Sequence, residues 1–248
     1  MVNILLVSHS KKLADSVAEM ALQMIGSGSV KIATAAGIGE GNQDFGTNAV
    51  EIAEAIQNIF TEAGVLILMD LGSAVLSSQM ALDLIPLEMK TKVRICPAPL
   101  IEGAVVAAAQ ASSGSDLDSI YREAMDAIKP KEEQLEVSNE KIQEEIPIES
   151  QPSADISKKE IILTMQNEHG LHARPGVRFV QTASNFDADI MVKNLTTGKG
   201  PSSAKSLTAV TLLGVLNSHQ IKITAEGKQR DEALQALADL IESRFGER

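Results

Sequence analysis

Short apolar runs, each followed by a segment with helical spacing, set the strongest limit on how this chain can fold. Val2–Val7 reads as a buried strand, and Leu13, Val17, Met20, Ala21 and Met24 then share one helical face over Lys11–Ile25. Gly26 and Gly28 close that helix. The same reading predicts strands at Val30–Thr34, Gly64–Met69 and Lys92–Cys96. Between and after them it predicts helices from a Thr47 or Asn48 cap through Phe60, from about Ala74 to Leu84, over Glu102–Ser112 and over Asp116–Leu135. Strands apolar throughout have no solvent face, so they imply a doubly wound, mostly parallel α/β sheet covered by helices on both sides.

Charge and composition divide the 248 residues further. Residues 1–129 carry 8 basic and 15 acidic side chains, a net −7; residues 130–158 carry 3 and 8, a net −5; residues 159–248 carry 11 and 10, a net +1. The middle stretch is rich in Glu, Gln, Ser and Pro, a composition that buries too little apolar surface to fold alone. It reads as an acidic flexible linker over 131–158 between a 1–130 domain and a 159–248 domain. As a coil of about 29 residues it would span on the order of 30 Å, although Glu132–Ile146 could instead extend the preceding helix. Five Phe, one Tyr and no Trp leave the cores to aliphatic residues. The lone Cys96 excludes an internal disulfide, is expected to be buried and inert, and fits a reducing, cytoplasmic setting. The acidic balance argues against nucleic acid as a partner. The N-terminal apolar run is too short for a signal peptide or membrane span.

Ligand chemistry in a parallel sheet collects beyond the carboxyl ends of the strands. His9 lies just past the first expected strand and Asp70 just past the third, with the Gly37–Gly46 loop after the second. Asp70 is placed to hold one ring nitrogen of His9 and leave the other as nucleophile. Gly72 and Ser73 open a helix and are candidate backbone donors to a phosphate. The glycine loop lacks a Gly-Lys-Ser/Thr ending and so is not a nucleotide P-loop.

The second domain reads as strands at Ile161–Met165, Ile190–Val192 and Gln220–Ala225 with helices at Ala173–Ser184, Lys205–Gly214 and Asp231–Phe245. At its head stands Asn167-Glu168-His169-Gly170-Leu171-His172-Ala173-Arg174-Pro175. Pro175 is tolerated only in a helix's first turn, so His172 sits at or beside a helix N-cap where an anion is favoured. Arg174 adds a permanently charged fork. A bland polar cap is the alternative.

Gly-Leu-His-Ala-Arg-Pro resembles the active-site signature of HPr, the histidine phosphocarrier of the bacterial phosphoenolpyruvate phosphotransferase system. The resemblance implies an α+β open-faced β-sandwich, phosphorylation of His172 on Nδ1 with help from Arg174, and phosphate contact at Ala173. It leaves the hairpin at Asn194–Ser203, a few residues longer than usual, in question and makes Ser206 a possible regulatory phosphoserine. Val7-Ser8-His9-Ser10, Ala36-Gly37-Ile38, Gly46-Thr47, Met69-Asp70-Leu71-Gly72-Ser73-Ala74 and Ala98-Pro99-Leu100-Ile101-Glu102-Gly103 resemble the phosphoryl-donor subunits of phosphoenolpyruvate-dependent dihydroxyacetone kinase. The first domain of that family is of mannose-type EIIA kind. This second resemblance implies phosphorylation of His9 on Nε2, imidazole orientation by Asp70, and a homodimer through the first domain.

Together the resemblances imply a phosphotransferase subunit, a phosphoenolpyruvate–glycerone phosphotransferase. Phosphate would pass from phosphoenolpyruvate through Enzyme I to His172, then to His9, then to ADP on the kinase partner subunit, for transfer to dihydroxyacetone on another. No cofactor or metal is expected on this chain; ADP and Mg belong to the partner. The sequence as read stops at Arg248, so Enzyme I is expected to act in trans. Competing readings are a mannose-type EIIA of sugar transport and a regulatory binding module switched by phosphorylation.

Overall fold

The computed structural model describes residues 1–26, 30–135, 158–168, 170–171 and 173–246. In the first module β1 (Asn3–Ser8), β2 (Ile32–Ala36), β3 (Val65–Met69) and β4 (Val93–Cys96) form one all-parallel sheet in the order β2-β1-β3-β4. The helices are α1 (Lys11–Ile25), α2 (Ala49–Ile59), α3 (Gly72–Leu82), α4 (Leu87–Lys90), α5 (Leu100–Ser112), α6 (Leu117–Met125) and α7 (Lys129–Gln134).

The apolar strands are covered on both sides, as expected. Ile4, Leu6, Leu66 and Leu68 join the helical residues Val17, Ala107 and Ile120 in one core layer. Their sequence neighbours Leu5, Val7, Ile67 and Met69 point the other way, onto Ile52 and Ile56 of α2 and Ala74 of α3. Each fully buried strand side chain contributes about 1.5–3 kcal/mol. Cys96 is buried and unpaired.

Several boundaries moved. β2 begins at Ile32 rather than Val30, because pairing runs from Ile4 with Ile32 to Ser8 with Ala36 and brings both strand ends level. The helix expected over Asp116–Leu135 is broken. α6 ends at Met125, a 3-10 turn covers Asp126–Ile128, and Pro130 lies in the first turn of α7, where its missing N–H costs nothing. α4, behind Pro86, was not expected. Residues 136–157, most of the expected linker, lie outside the described residues.

The second module places β5 (Lys158–Thr164), β6 (Ala188–Asn194), β7 (Ser202–Ser203) and β8 (Gln220–Gly227) in an antiparallel sheet, order β5-β8-β6-β7. Ile190, Val192, Ile221, Ile223 and Ala225 alternate inward and are buried. Over them pack α8 (Ala173–Ser184), α9 (Leu207–Leu212) and α10 (Arg230–Glu242). The opposite face carries half-exposed or exposed Ile162, Lys222 and Thr224. This is an open-faced sandwich. The long Asn194–Ser203 connection supplies the fourth strand as only two residues. α9 starts at Leu207 rather than the predicted Lys205 because the Ser206 side chain caps it, accepting from the Ala209 N–H at 3.1 Å, and it ends at Leu212 rather than Gly214.

Candidate active site

The strand order reverses between β1 and β3, and the loops beyond those two strands meet there. His9 leaves the end of β1 just before Ser10, which caps α1 by accepting from the Leu13 N–H. Asp70 follows β3 at the same level and donates its N–H to the Val7 carbonyl. The loop after β2 closes over the pair, with the Gly37 N–H on the Ser8 carbonyl and the Gly46 N–H on the His9 carbonyl at 3.1 Å. Gly37 sits at φ +76°, and a Cβ there would lie 2.3 Å from the Asn42 carbonyl oxygen, so the turn requires glycine. All three features expected at one sheet edge are there together.

The His9 ring is held on both nitrogens. Nδ1 lies 2.9 Å from Asp70 Oδ1 and Nε2 lies 2.6 Å from Ser73 Oγ. The Asp70 carboxylate also accepts from the Ser8 hydroxyl (2.8 Å), the His9 N–H (2.8 Å) and the Leu71 N–H (2.6 Å). Burial pushes the Asp70 carboxyl up, but the His9 and Leu71 backbone N–H groups, the His9 ring and the Ser8 hydroxyl together hold it below its ordinary value. An ionised Asp70 keeps the proton on Nδ1 and leaves a lone pair on Nε2, which the Ser73 hydroxyl meets as donor. The His9 side chain is 21 % exposed.

Gly72 is the first residue of α3, with open space around it, and Ser73 is the second. Ser73 was expected to offer a backbone donor; its hydroxyl on Nε2 was not foreseen, nor was the brace from Ser8 to Asp70. The signal for Ser8 was its place at the strand end directly before His9. Exposed Phe45 (80 %) and Leu71 (64 %) follow from the same glycine loop and helix start.

His172 and His169 lie outside the described residues. The frame around His172 is described. Leu171 donates its N–H to the Val215 carbonyl at 3.0 Å, and the buried Asn167 donates its side-chain amide to the Gly170 carbonyl at 2.8 Å. Asn217, from the loop before β8, donates to the Asn167 carbonyl at 2.9 Å. Gly170 has φ +65°, and a Cβ on it would stand 1.9 Å from the Val215 oxygen. These ties, one from the Val215 carbonyl and one from the Asn217 side chain, were invisible in sequence. Ala173 opens α8, Arg174 is exposed, and Pro175 falls in the first turn as expected. Ser206 caps α9 and donates to Glu123 Oε2 of the first module at 2.7 Å. His219 makes a 3.1 Å contact with the Asn194 amide and stays partly buried.

Comparison with known proteins follows the same division. The family described as PTS system fructose IIA component matches residues 3–121, and the family described as PTS HPr component phosphorylation site matches residues 159–243. The phosphoryl donor subunit DhaM of the PEP-dependent dihydroxyacetone kinase of Escherichia coli is 40% identical over 247 residues, 100% of this chain and 51% of that protein. The DhaM of dihydroxyacetone kinase 2 of Listeria innocua is 39% identical over 123 residues, 50% of this chain and 96% of that protein. A crystal structure of HPr-C-His from Thermoanaerobacter tengcongensis is 44% identical, covering 36% of this chain and 98% of that one, with a TM-score of 0.34. The two folds and the two matches define a fusion of phosphotransferase-system carrier modules. The chain belongs to the DhaM family, the phosphoryl donor subunits of PEP-dependent dihydroxyacetone kinase. It spans about half the length of the full-length-matching curated relatives.

Proposed function

We propose that this chain is a phosphoryl carrier that takes phosphate from phosphoenolpyruvate by way of Enzyme I onto His172, passes it to His9, and delivers it to ADP on a dihydroxyacetone kinase partner subunit. The ADP, rephosphorylated in place, then phosphorylates dihydroxyacetone bound to a second subunit. The observation that carries the reading is the His9 clamp, with Asp70 on Nδ1 and the Ser73 hydroxyl on Nε2. In the first transfer the N–P bond on the His172 ring breaks as one forms to His9 Nε2. The ring charge that develops faces the Asp70 carboxylate, and the phosphoryl oxygens face the Ser73 hydroxyl and the opening N–H groups of α3 at Gly72 and Ser73. In the second transfer the His9 N–P bond breaks and the phosphoryl group joins the terminal oxygen of ADP. Arg174 and the opening of α8 at Ala173 serve His172 in the same way. The domains are taken as 1–130 and 159–248, with 131–158 as linker, acting in the cytoplasm. Among the described residues no helix is long and apolar enough to cross a membrane.

The test is discharge. Chain labelled from phosphoenolpyruvate and Enzyme I should lose its His9 phosphate within seconds of adding the ADP-loaded partner subunit and dihydroxyacetone, with dihydroxyacetone phosphate formed in equal amount. Phosphate that stays on His9 would favour sugar transport or a regulatory module instead.

A homodimer through the first module is part of the same proposal. Leu76, Met80, Leu84 and Leu87 form an exposed apolar stripe along and just beyond α3, at 60, 53, 54 and 75 % exposure. Replacing Leu76 and Met80 by Glu is expected to halve the mass measured by light scattering; an unchanged mass would place the contact elsewhere or deny it.

A further inference from the structure

The second module does not stand clear of the first. Buried Gln110 of α5, 2 % exposed, donates to the Lys205 carbonyl at 3.1 Å while its own carbonyl accepts from Ser115. Glu123 of α6 takes the Ser206 hydroxyl at 2.7 Å on its carboxylate and the Thr208 hydroxyl at 3.4 Å on its carbonyl. Gln181 of α8 reaches Ser112 at the end of α5 (2.7 Å), and Lys199 pairs with Glu133 of α7 at 3.0 Å. Around these bonds one continuous apolar cluster runs through both modules.

We infer that the α5–α7 face of the first module is a docking site for the second module of this chain, and that docking competes with the protein that phosphorylates His172. The inference rests on the carrier reading above. A Cβ on Gly176, in the second turn of α8, would lie 2.9 Å from the Leu171 carbonyl oxygen and 3.3 Å from Leu207 Cδ1. So the loop before His172, the start of α8 and the start of α9 form one surface. Even a transient protein contact covers several hundred Å² per partner, more than the loop alone offers, so a donor over His172 must spread onto α8 and α9. There Leu207 and Thr208 are already 95 % buried, and the Thr208 hydroxyl is bonded to Glu123. The closed form and the donor complex therefore exclude each other.

Tethering favours closure. The two faces belong to one chain, and covalent linkage holds them at an effective concentration on the order of millimolar, so a contact too weak to hold separate proteins still holds these two. The direct bonds are few and mostly uncharged.

The test uses the full chain with Gln181→Glu, whose carboxylate cannot donate to Ser112, and separately Glu123→Arg. The second variant changes only the first module and so leaves the fold of the phosphate-accepting module intact. Hydrogen exchange of the amides at 205–212 and the initial rate of phosphorylation by limiting Enzyme I and phosphoenolpyruvate are both read. Both variants should lose protection at 205–212, and their rates should rise about tenfold if the closed form holds nine-tenths of the population. Unchanged protection overturns docking, and unchanged rates with lost protection overturn the competition. If neither wild type nor variants take up phosphate, the carrier function and the competition fall together, while exchange still decides docking.

Discussion

His172→Ala is expected to take up no phosphate at either site from phosphoenolpyruvate and Enzyme I, while wild type gains two and His9→Ala gains one. Intact mass at neutral pH reads this directly, because each phosphoryl group adds a fixed increment and N–P bonds survive there. The asymmetry follows from the proposed order of transfer: with His172 ahead of His9, its loss starves both. Removing a nucleophile outright lowers turnover by on the order of 10³-fold or more, which makes the missing increment absolute on the time scale of the measurement. Uptake of one phosphate by His172→Ala would show that His9 is charged by another route, such as a free HPr.

Asp70→Asn should come next in size. The two oxygens of Asp70 accept from four donors, namely the Ser8 hydroxyl, the His9 and Leu71 N–H groups and the His9 ring. An amide offers one oxygen and turns an NH₂ toward the remaining donors. The imidazole then loses the partner that keeps its proton on Nδ1, and transfer through His9 is expected to fall by about 10²–10⁴. His172 should still be charged at the wild-type rate, so the variant should accumulate one phosphate and pass little on.

The same substitution has a stability signature with a definite sign. The folded carboxyl of Asp70 lies below its ordinary value, so the carboxylate stabilises the fold at pH values above the unfolded pKa, about 3.9. That contribution disappears as pH falls through the lowered folded value. Asp70→Asn should therefore be less stable than wild type at pH 7, by about 1–3 kcal/mol for donors left unmatched. In urea titrations the gap should narrow below about pH 4. A gap constant with pH would mean that the carboxylate's charge contributes nothing.

Much of this was legible in the chain because the informative features are local. Unbroken apolar runs at residues 4–7 and 65–69, short and followed by helical spacing, read as strands covered on both faces, and those residues are buried strands. Pro175 pins the start of α8, and the helix runs over Ala173–Ser184 as its spacing implied. Asn48 caps α2 through its side chain for the same local reason. Elements failed to read where pairing or a neighbour decided them. The register of β2 is imposed by β1, and the length of β7 by β6.

The candidate sites divide in the same way. A histidine after β1 and an aspartate after β3 could be placed at one sheet edge from strand–helix alternation alone, because parallel strands bring their carboxyl ends together. The sequence by itself pointed to two modules, two candidate histidines and the role open to Asp70, since each reading rests on residue type and short-range periodicity. Only the tertiary structure decided that Ser73 meets Nε2 with its hydroxyl, that residues 215–217 brace the loop before His172, and that α8 and α9 lie against α5–α7. Those contacts join residues up to 95 positions apart. Their distances are set by how layers pack, and no local propensity encodes them.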